Sequence, residues 1–472
     1  MDKKFYITTT LPYVNAPPHL GFSLEIVQAD AVARYHKLLG EDVIFNFGTD
    51  EHGQKIYQKA LEEKKDPKKY CDEYAAKFDN LKTALNLSYT NFIRTTDEKH
   101  IEAVYEFWDR CNKNGDIYKK NYKQKYCVGC ELEKSDSELE NGKCPLHPNN
   151  KLEMIEEENY FFRFSKYQKP LLEFYENNPK FIIPEFRFNE IKTFVRGGLQ
   201  DFSISRLKDK MPWGIDVPND LDHIIFVWFD ALTNYISTLG WPKDKENFEN
   251  FWPGIQVAGK DNLRQQTAIW QAMLMSAGIK NSKQVFIHGF ITVNGQKISK
   301  SLGNIINPFD LVEKYGTDPV RYFLLVKISP YEDSDFTIER FEDAYNSDLA
   351  NGLGNLVSRI AKLCESSGFE FERKDINKLD DNISRSLDEF RFDEALKIVW
   401  TKITETDQYI NTNEPWELKG EALKKVLDFT VSSLVSIAYC LAPFLPETAE
   451  KIEEQFRGPK IKSEAPLFPR LK

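Results

Sequence analysis

Residues 5–50 read FYITTTLPYVNAPPHLGFSLEIVQADAVARYHKLLGEDVIFNFGTD, and this stretch decides the fold. FYITT (5–9) is an apolar run suited to a short buried strand, and the turn-rich LPYVNAPPHLG follows it. From Ser23 to Leu39 apolar residues recur at helical spacing, Gly40 stands where a helix would end, and VIFNFGTD is a second apolar strand. Strand, glycine-bearing turn, helix and strand make a βαβ unit. Such a unit implies a parallel sheet with ligands beyond the C-terminal ends of its strands.

Working outward, helical patterns from about 54 to 113 continue this α/β half. From Asp116 the chain turns polar, lysine-rich and turn-rich, from YKKNYKQKYCVGC through CPLHPNN, like a small inserted module. HIIFVWFDALTNYIS, IQVAGKD and KQVFIHGF then each place an apolar strand before a polar or glycine turn, so the sheet is expected to resume. After about Phe336 only helical periodicity remains, in 341–366, 378–391, 393–411 and 421–441. The expected organisation is a Rossmann-like parallel-sheet domain in two halves, 1–115 and 223–340. A connective module at 116–222 splits it, and an α-helical bundle at 341–472 follows.

Bulk properties set the limits. A chain of 472 residues exceeds one compact core. A net charge of −10 argues against nucleic-acid binding through overall charge, while leaving room for a local basic face. No apolar run approaches the ~20 residues of a membrane helix, and the N-terminus has no signal-like segment. A soluble, cytoplasmic protein without membrane contact is expected. Of seven cysteines, Cys71, Cys111, Cys364 and Cys440 stand singly in apolar or helical surroundings, as buried reduced thiols do.

Three segments carry chemistry. Pro17-Pro18-His19-Leu20-Gly21 lies between a strand and a helix start, where free N–H groups favour a phosphate. Gly21 would admit a close-lying nucleotide, and His19 could donate to a phosphoryl oxygen. A proline-rich turn with a surface histidine is the alternative. Asp50 ends the second strand in FGTDEHG and could hold an ammonium group or merely cap a helix. In VNGQKISKSLGN (293–304), Lys297 and Lys300 stand three apart, flanked by Ser299 and Ser301 and bounded by Gly295 and Gly303. A glycine-hinged loop with paired ammonium groups suits a polyphosphate, although a lone KxxK is more often a solvated turn.

A fourth segment is Cys127-x2-Cys130, thirteen residues, then Cys144-x2-His147. Two paired turns with four such ligands match a closed, structural zinc site within 127–147.

PPHLGF and KISKS resemble the two signature motifs of class I aminoacyl-tRNA synthetases, about 280 residues apart and in the family's order. LPYVNAPPHLG, FGTDEHG, NYFFR, GLQDFSISR, VWFDA, HGF and NEPW extend the likeness to the methionyl branch of that family. The resemblance implies that methionine attacks the α-phosphate of ATP, with Mg2+, giving methionyl-adenylate and pyrophosphate. Methionine then passes to the 3′-terminal adenosine of tRNA(Met). By the same resemblance, His19, Lys297 and Lys300 are catalytic, and Pro18, Gly21, His288 and Ser299 join them around ATP. Leu11, Tyr13, Asp50, Trp228, Ala231 and Tyr235 would bind the amino acid, together with Asp261, Asn262 and Gln266; Arg206 is a weaker polar candidate. Asn351, Asn355 and Arg359 on one helix face, with Trp416, would read the anticodon. No DNA is expected as a partner. The chain's end at PLFPRLK, with no further domain, leads to the expectation of a monomer.

Departures from the family pattern keep alternatives open. Phe22 replaces the second histidine of the first motif, which leaves a silent tRNA-binding paralogue as one reading. Asn262 and Gln266 stand where methionyl enzymes often carry an aliphatic residue and a histidine, which leaves another apolar amino acid such as leucine. Only about 100 residues separate the halves, too few for the editing insertion of leucyl, isoleucyl and valyl relatives. A cysteinyl enzyme would hold zinc in the amino-acid pocket, whereas these four ligands are expected apart from it.

Overall fold

The computed structural model describes residues 3–129, 132–134, 138–298, 303–372 and 378–471. Strands β1 (Lys4–Thr9), β2 (Asp42–Thr49), β3 (Asn91–Arg94), β4 (Ile182–Ile183), β5 (Ile255–Gly259) and β6 (Gln284–His288) form one parallel sheet. Their order is β3-β2-β1-β5-β6-β4, so the winding reverses between β1 and β5. That reversal opens a crevice at the strand C-termini where a ligand fits. Helix α1 (Leu20–Leu38) crosses from β1 to β2, and Gly40, at φ +79, supplies the left-handed turn out of it.

One row of the sheet is polar and buried. Thr8 on β1 lies opposite Asn46 on β2 and opposite Gln256 on β5, and all three are buried. The Asn46 amide donates to Thr8 Oγ1 at 3.0 Å and to Asn234 Oδ1 at 3.2 Å, so most of the row is satisfied internally.

Two expectations need correction. The strand in HIIFVWFDALTNYIS, Asp220–Ile225, does not enter the main sheet; it pairs antiparallel with Ser205–Leu207 and Asp216–Val217. Conversely β4, inside the stretch expected as the connective module, is the edge strand of the main sheet. The rest of that module is built on a long antiparallel ladder. Ile117–Cys127 pairs with Glu153–Phe162 through ten residue pairs, with Lys123 bonded to Glu156 at 2.6 Å. At its root the buried Asp116 carboxylate meets Lys166 at 2.7 Å, Ser276 Oγ at 2.8 Å and the Tyr167 hydroxyl. Burial disfavours its charge, but these donors outweigh that and hold its pKa below the usual range.

Helices Ile338–Ala344, Tyr345–Gly354, Asn355–Ser367, Asp381–Asp388, Phe392–Asn413, Gly420–Leu441 and Pro446–Gln455 fill the C-terminal part. One apolar core runs from a face of the sheet into these helices, with Phe286 of β6 stacked on Phe390 at 4.5 Å. A buried cation crosses the same boundary. Arg321, fully buried, pairs with Asp30 of α1 at 2.8 Å and donates to the carbonyls of Leu85, Pro443 and Phe444. Cys71, Cys111, Cys364 and Cys440 are all buried free thiols. Among the described residues no helix is long and apolar enough to cross a membrane.

Candidate active site

A cleft of about 290 Å³ opens where β1, β2, β5 and β6 end. Leu11 and Tyr13 reach it from β1, Asp50 from β2, and Asp261 and Asn262 from β5. Trp228, Ala231 and Tyr235 come from the helical turns after Ile225, and Gln266 from the helix after β5. The nine side chains singled out for the amino acid therefore share one cavity, and Lys297 lines it too. Arg206 lies elsewhere: it lines a neighbouring cavity of about 460 Å³ beyond Trp228 and donates to Ser203 Oγ at 2.6 Å.

Asp50 is not a helix cap. The next helix, Gln54–Glu62, is capped at Gly53 without a side-chain bond. The Asp50 backbone is instead clamped to the β1 extension, its N–H donating to the Pro12 carbonyl at 3.0 Å and its carbonyl accepting from Val14 at 3.2 Å. Its neighbours face away and are locked. Arg94 holds both Glu51 oxygens, through Nε at 2.6 Å and Nη2 at 2.9 Å. The His52 ring meets Asp230 at 2.6 Å, and the other Asp230 oxygen meets His100 at 2.8 Å. Burial works against the Asp230 charge, but the two imidazoles outweigh it and lower its pKa. The Asp50 carboxylate is thus carried on a rigid base.

His19 caps α1: its Nδ1 accepts the Gly21 N–H at 3.1 Å. Burial pushes its pKa down to about 4, so the ring is neutral at pH 7, and with Nδ1 accepting, the proton resides on Nε2. His19 accordingly offers an uncharged N–H donor beside the helix N-terminus. A Cβ at Gly21 would come within 2.9 Å of the imidazole Cε1, so glycine is needed to admit the ring. Phe22, which lines the cleft, packs on His19 with ring centroids 4.4 Å apart and edge-on against Phe78. Pro18 is buried beneath this turn.

The second motif starts in a β-hairpin. Asn294 (φ +52) and Gly295 (φ +71) make the tight turn between Ile291–Val293 and Gln296–Lys297, so Gly295 shapes a turn. Asn304 Nδ2 donates to the Lys297 carbonyl at 3.1 Å, closing the loop at its base. Leu20 N–H donates to the Ile306 carbonyl at 3.0 Å, which fastens this loop to the start of α1. Ser299 and Lys300 lie outside the described residues.

His288 sits at the end of β6 with both ring nitrogens engaged, Nε2 on Glu25 at 3.0 Å and Nδ1 on the Gly289 carbonyl at 2.7 Å. Burial opposes a charge on the ring, but Glu25 outweighs it and raises the pKa above the ordinary value. Glu25 in turn accepts from Thr10 N–H at 2.7 Å. His288 thus ties β6 through Glu25 to the β1 end, with no ring nitrogen left over. Sequence reasoning missed Glu25 and Lys55. Lys55 lines the cleft and donates to the Gly129 carbonyl at 2.7 Å.

Cys127, Cys144 and His147 place one ligand atom each within 4.8 Å of one another, with Cys127 Sγ 3.9 Å from His147 Nδ1. A zinc tetrahedron with bonds of ~2.3 Å to sulfur and ~2.0 Å to nitrogen has edges of roughly 3.5–3.8 Å, so the donor set fits the ion. Gly129 admits the His147 ring, since a Cβ there would lie 2.4 Å from its Cγ. Cys130 lies outside the described residues. One expectation is corrected for one ligand: His147 does not stand apart from the amino-acid cleft but lines it, beside Gly129.

At the far end, Arg359 reaches Asp407 at 3.0 Å and Asn411 at 2.6 Å, and its guanidinium lies 5.3 Å from the Trp416 ring centre. Trp416 is 50% exposed, and Asn351 and Asn355 are exposed as well. Asn351 falls in the π-helical run Tyr345–Gly354, and Asn355 opens the α-helix that follows it.

Comparison with known proteins agrees with this geometry. The family model described as "tRNA synthetases class I (M)" matches residues 5–151 and 133–361. The methionine–tRNA ligase of Thermotoga maritima is 42% identical over 95% of this chain and 74% of its own length. That of Synechocystis is 42% identical over 96% of this chain and 89% of its own. The solved structure of Mycobacterium tuberculosis methionyl-tRNA synthetase with methionyl-adenylate superposes with a TM-score of 0.93 at 34% identity, covering 99% of this chain and 100% of that one. The free form of the same enzyme gives 0.86 at 32% identity. With sequence and fold in agreement over nearly the full length, the chain belongs to the class I (M) tRNA synthetase family.

Proposed function

We propose that the cleft at the sheet reversal binds methionine for the reaction of a methionine–tRNA ligase. Methionine is activated with ATP to the adenylate, with release of pyrophosphate, and is then transferred to tRNA. What carries the residue-level reading is the meeting of Asp50, on a rigid strand end, with Lys297, at the base of the second motif, in one cavity lined by the aromatic and amide side chains.

In this reading Asp50 takes the α-ammonium group, and Tyr13, Trp228, Ala231 and Tyr235 enclose the side chain with Leu11. Aromatic rings suit a thioether as well as an alkyl chain. The neutral Nε2–H of His19 donates to a phosphoryl oxygen as charge grows there, and Lys297 and Lys300 neutralise the departing pyrophosphate. Phe22 leaves His19 without a second imidazole donor and supports it by packing. Mg2+, when bound with ATP, supplies further charge compensation. Cys127, Cys130, Cys144 and His147 hold a structural zinc ion that keeps the knuckle folded against the cleft. The C-terminal helices present Arg359 and Trp416, with Asn351 and Asn355, to the anticodon of tRNA(Met).

Amino-acid-dependent ATP–pyrophosphate exchange over all twenty amino acids tests the proposal. Stimulation by methionine is expected; stimulation by leucine in its place would replace it.

A further inference from the structure

The hairpin that opens the second motif is pinned at its tip by a carboxylate from 40 residues onward. Ile291–Val293 pairs antiparallel with Gln296–Lys297 on one side and parallel with Ser334–Phe336 on the other. In that register Thr292 stands between Lys297 and Asp335, and side chains across such a row share one face. Asp335 Oδ1 accepts the Thr292 hydroxyl at 2.7 Å and the Gly295 N–H at 2.7 Å. The other turn amide, Asn294 N–H, donates to the Phe336 carbonyl at 3.4 Å. Ser334–Phe336 thus holds both amides of a turn that would otherwise give them to water. That strand is itself anchored. Asp333 accepts the Phe290 N–H at 2.9 Å and the Lys260 ammonium at 2.6 Å, and Lys260 stands next to Asp261 of the cleft. A Cβ at Gly289 would lie 2.2 Å from the Glu332 carbonyl carbon, so glycine lets the two segments lie this close.

We propose that Asp335 is a positioning residue for adenylate formation, fixing the hairpin through Thr292 and Gly295 so that Lys297 is held in the cleft. The inference rests on reading the cleft as the site where ATP and methionine react. A lysine stem is flexible, so its ammonium meets a growing phosphate charge reproducibly only if the backbone beneath it is fixed. Lys297 lines the cleft from a strand of two residues, and so short a hairpin is marginal by itself. The two bonds to Asp335 make it part of a three-stranded sheet with an anchored edge. Asp335 is not among the residues that line the cleft, so it acts through Lys297. Pyrophosphate leaves in the first step, and the placement of this lysine therefore matters there and not in transfer to tRNA.

Single-turnover adenylate formation, and transfer of methionine from preformed adenylate to tRNA, test this on the full chain. Asp335→Ala should slow adenylate formation by about 100-fold, the scale of a ~1 Å misplacement, at saturating ATP and with methionine KM unchanged. Transfer should keep its wild-type rate. Asp335→Asn retains an acceptor oxygen and should recover most of the loss. Thr292→Val, close in shape, removes one of the two bonds and should cost roughly 3- to 10-fold in the same step. Should Asp335→Ala melt early, Thr292→Val decides alone. Wild-type adenylate formation in either variant would overturn the proposal. Equal losses in both steps would do the same, as the mark of a merely structural role, and an asparagine variant as slow as the alanine one would assign the effect to charge and overturn it too. Wild-type exchange driven by a different amino acid would instead overturn the methionine reading, and the two steps would then be followed with that amino acid.

Discussion

The Nδ1 atom of His19 accepts the backbone N–H of Gly21 across 3.1 Å, and this bond fixes the ring proton on Nε2. Nδ1 can accept because the ring is neutral, and it stays neutral while burial holds its pKa near 4. His19 should therefore show no protonation between pH 8 and 5 when its ring signals are followed by NMR. The unfolded chain takes up that proton near pH 6.5 and the folded one only near 4, so stability should fall as pH drops through this window. A ring titrating near 6.5 would refute the assignment.

Replacing His19 by Ala should lower adenylate formation by about 10²–10³, the usual cost of a lost transition-state donor, with little change in methionine KM. Gly21→Ala should approach the same loss without touching the ring's chemistry, because the added methyl displaces it. Single-turnover adenylate formation measures both; a Gly21→Ala enzyme at full rate would show the cap to be dispensable.

Removing a zinc ligand should act at two places. Cys127→Ser is expected to lose the ion in metal analysis and to loosen residues 116–150 in hydrogen exchange. Because His147 lines the methionine cleft, it should also raise methionine KM. Retained zinc with wild-type exchange would contradict the ligand set.

Arg321→Met should destabilise the fold by about 3 kcal/mol or more, since it strands the buried Asp30 carboxylate and three carbonyls. Arg34 still holds Asp30 at 2.8 Å, which keeps the loss from being total. Denaturant unfolding monitored at the catalytic and helical parts gives the value, and a change below 1 kcal/mol would contradict the account.

Trp416→Ala should weaken charging of tRNA by about 1–3 kcal/mol, the usual value of a stacked base, and leave methionine-dependent exchange intact. Arg359→Ala should follow it, because the two side chains lie together. Equal loss in both reactions would place them outside tRNA recognition.

What could be read from the sequence follows from which signals are local. The βαβ unit at 5–50 announced itself through apolar periodicity and Gly40, and the strand ends it placed are those that line the cleft. Strands of four and two residues, Asn91–Arg94 and Ile182–Ile183, carry no periodic pattern and emerge only from pairing with β2 and β6. The lysines of 119–125 suggested a solvated module because a cross-strand partner such as Glu156, which meets Lys123, lies some thirty residues onward. Ligand spacing identified the knuckle but held no information on where it docks, so the approach of His147 to the cleft was invisible. Gln256 was hidden for a related reason: a lone glutamine in a strand gives no sign of the Gln266 amide that its own amide meets at 3.2 Å.

The ladder rooted at Asp116 is, mechanically, a cantilever. Its ten residue pairs span on the order of 30 Å at ~3.3 Å per residue, and the knuckle with His147 rides at the far end. A tilt of about five degrees at the root would swing that tip by roughly 2–3 Å, a displacement comparable to a hydrogen bond's length. Changes around Asp116, Tyr167 and Ser276, a strand's length from any substrate atom, should therefore retune the mouth of the cleft as effectively as changes within it.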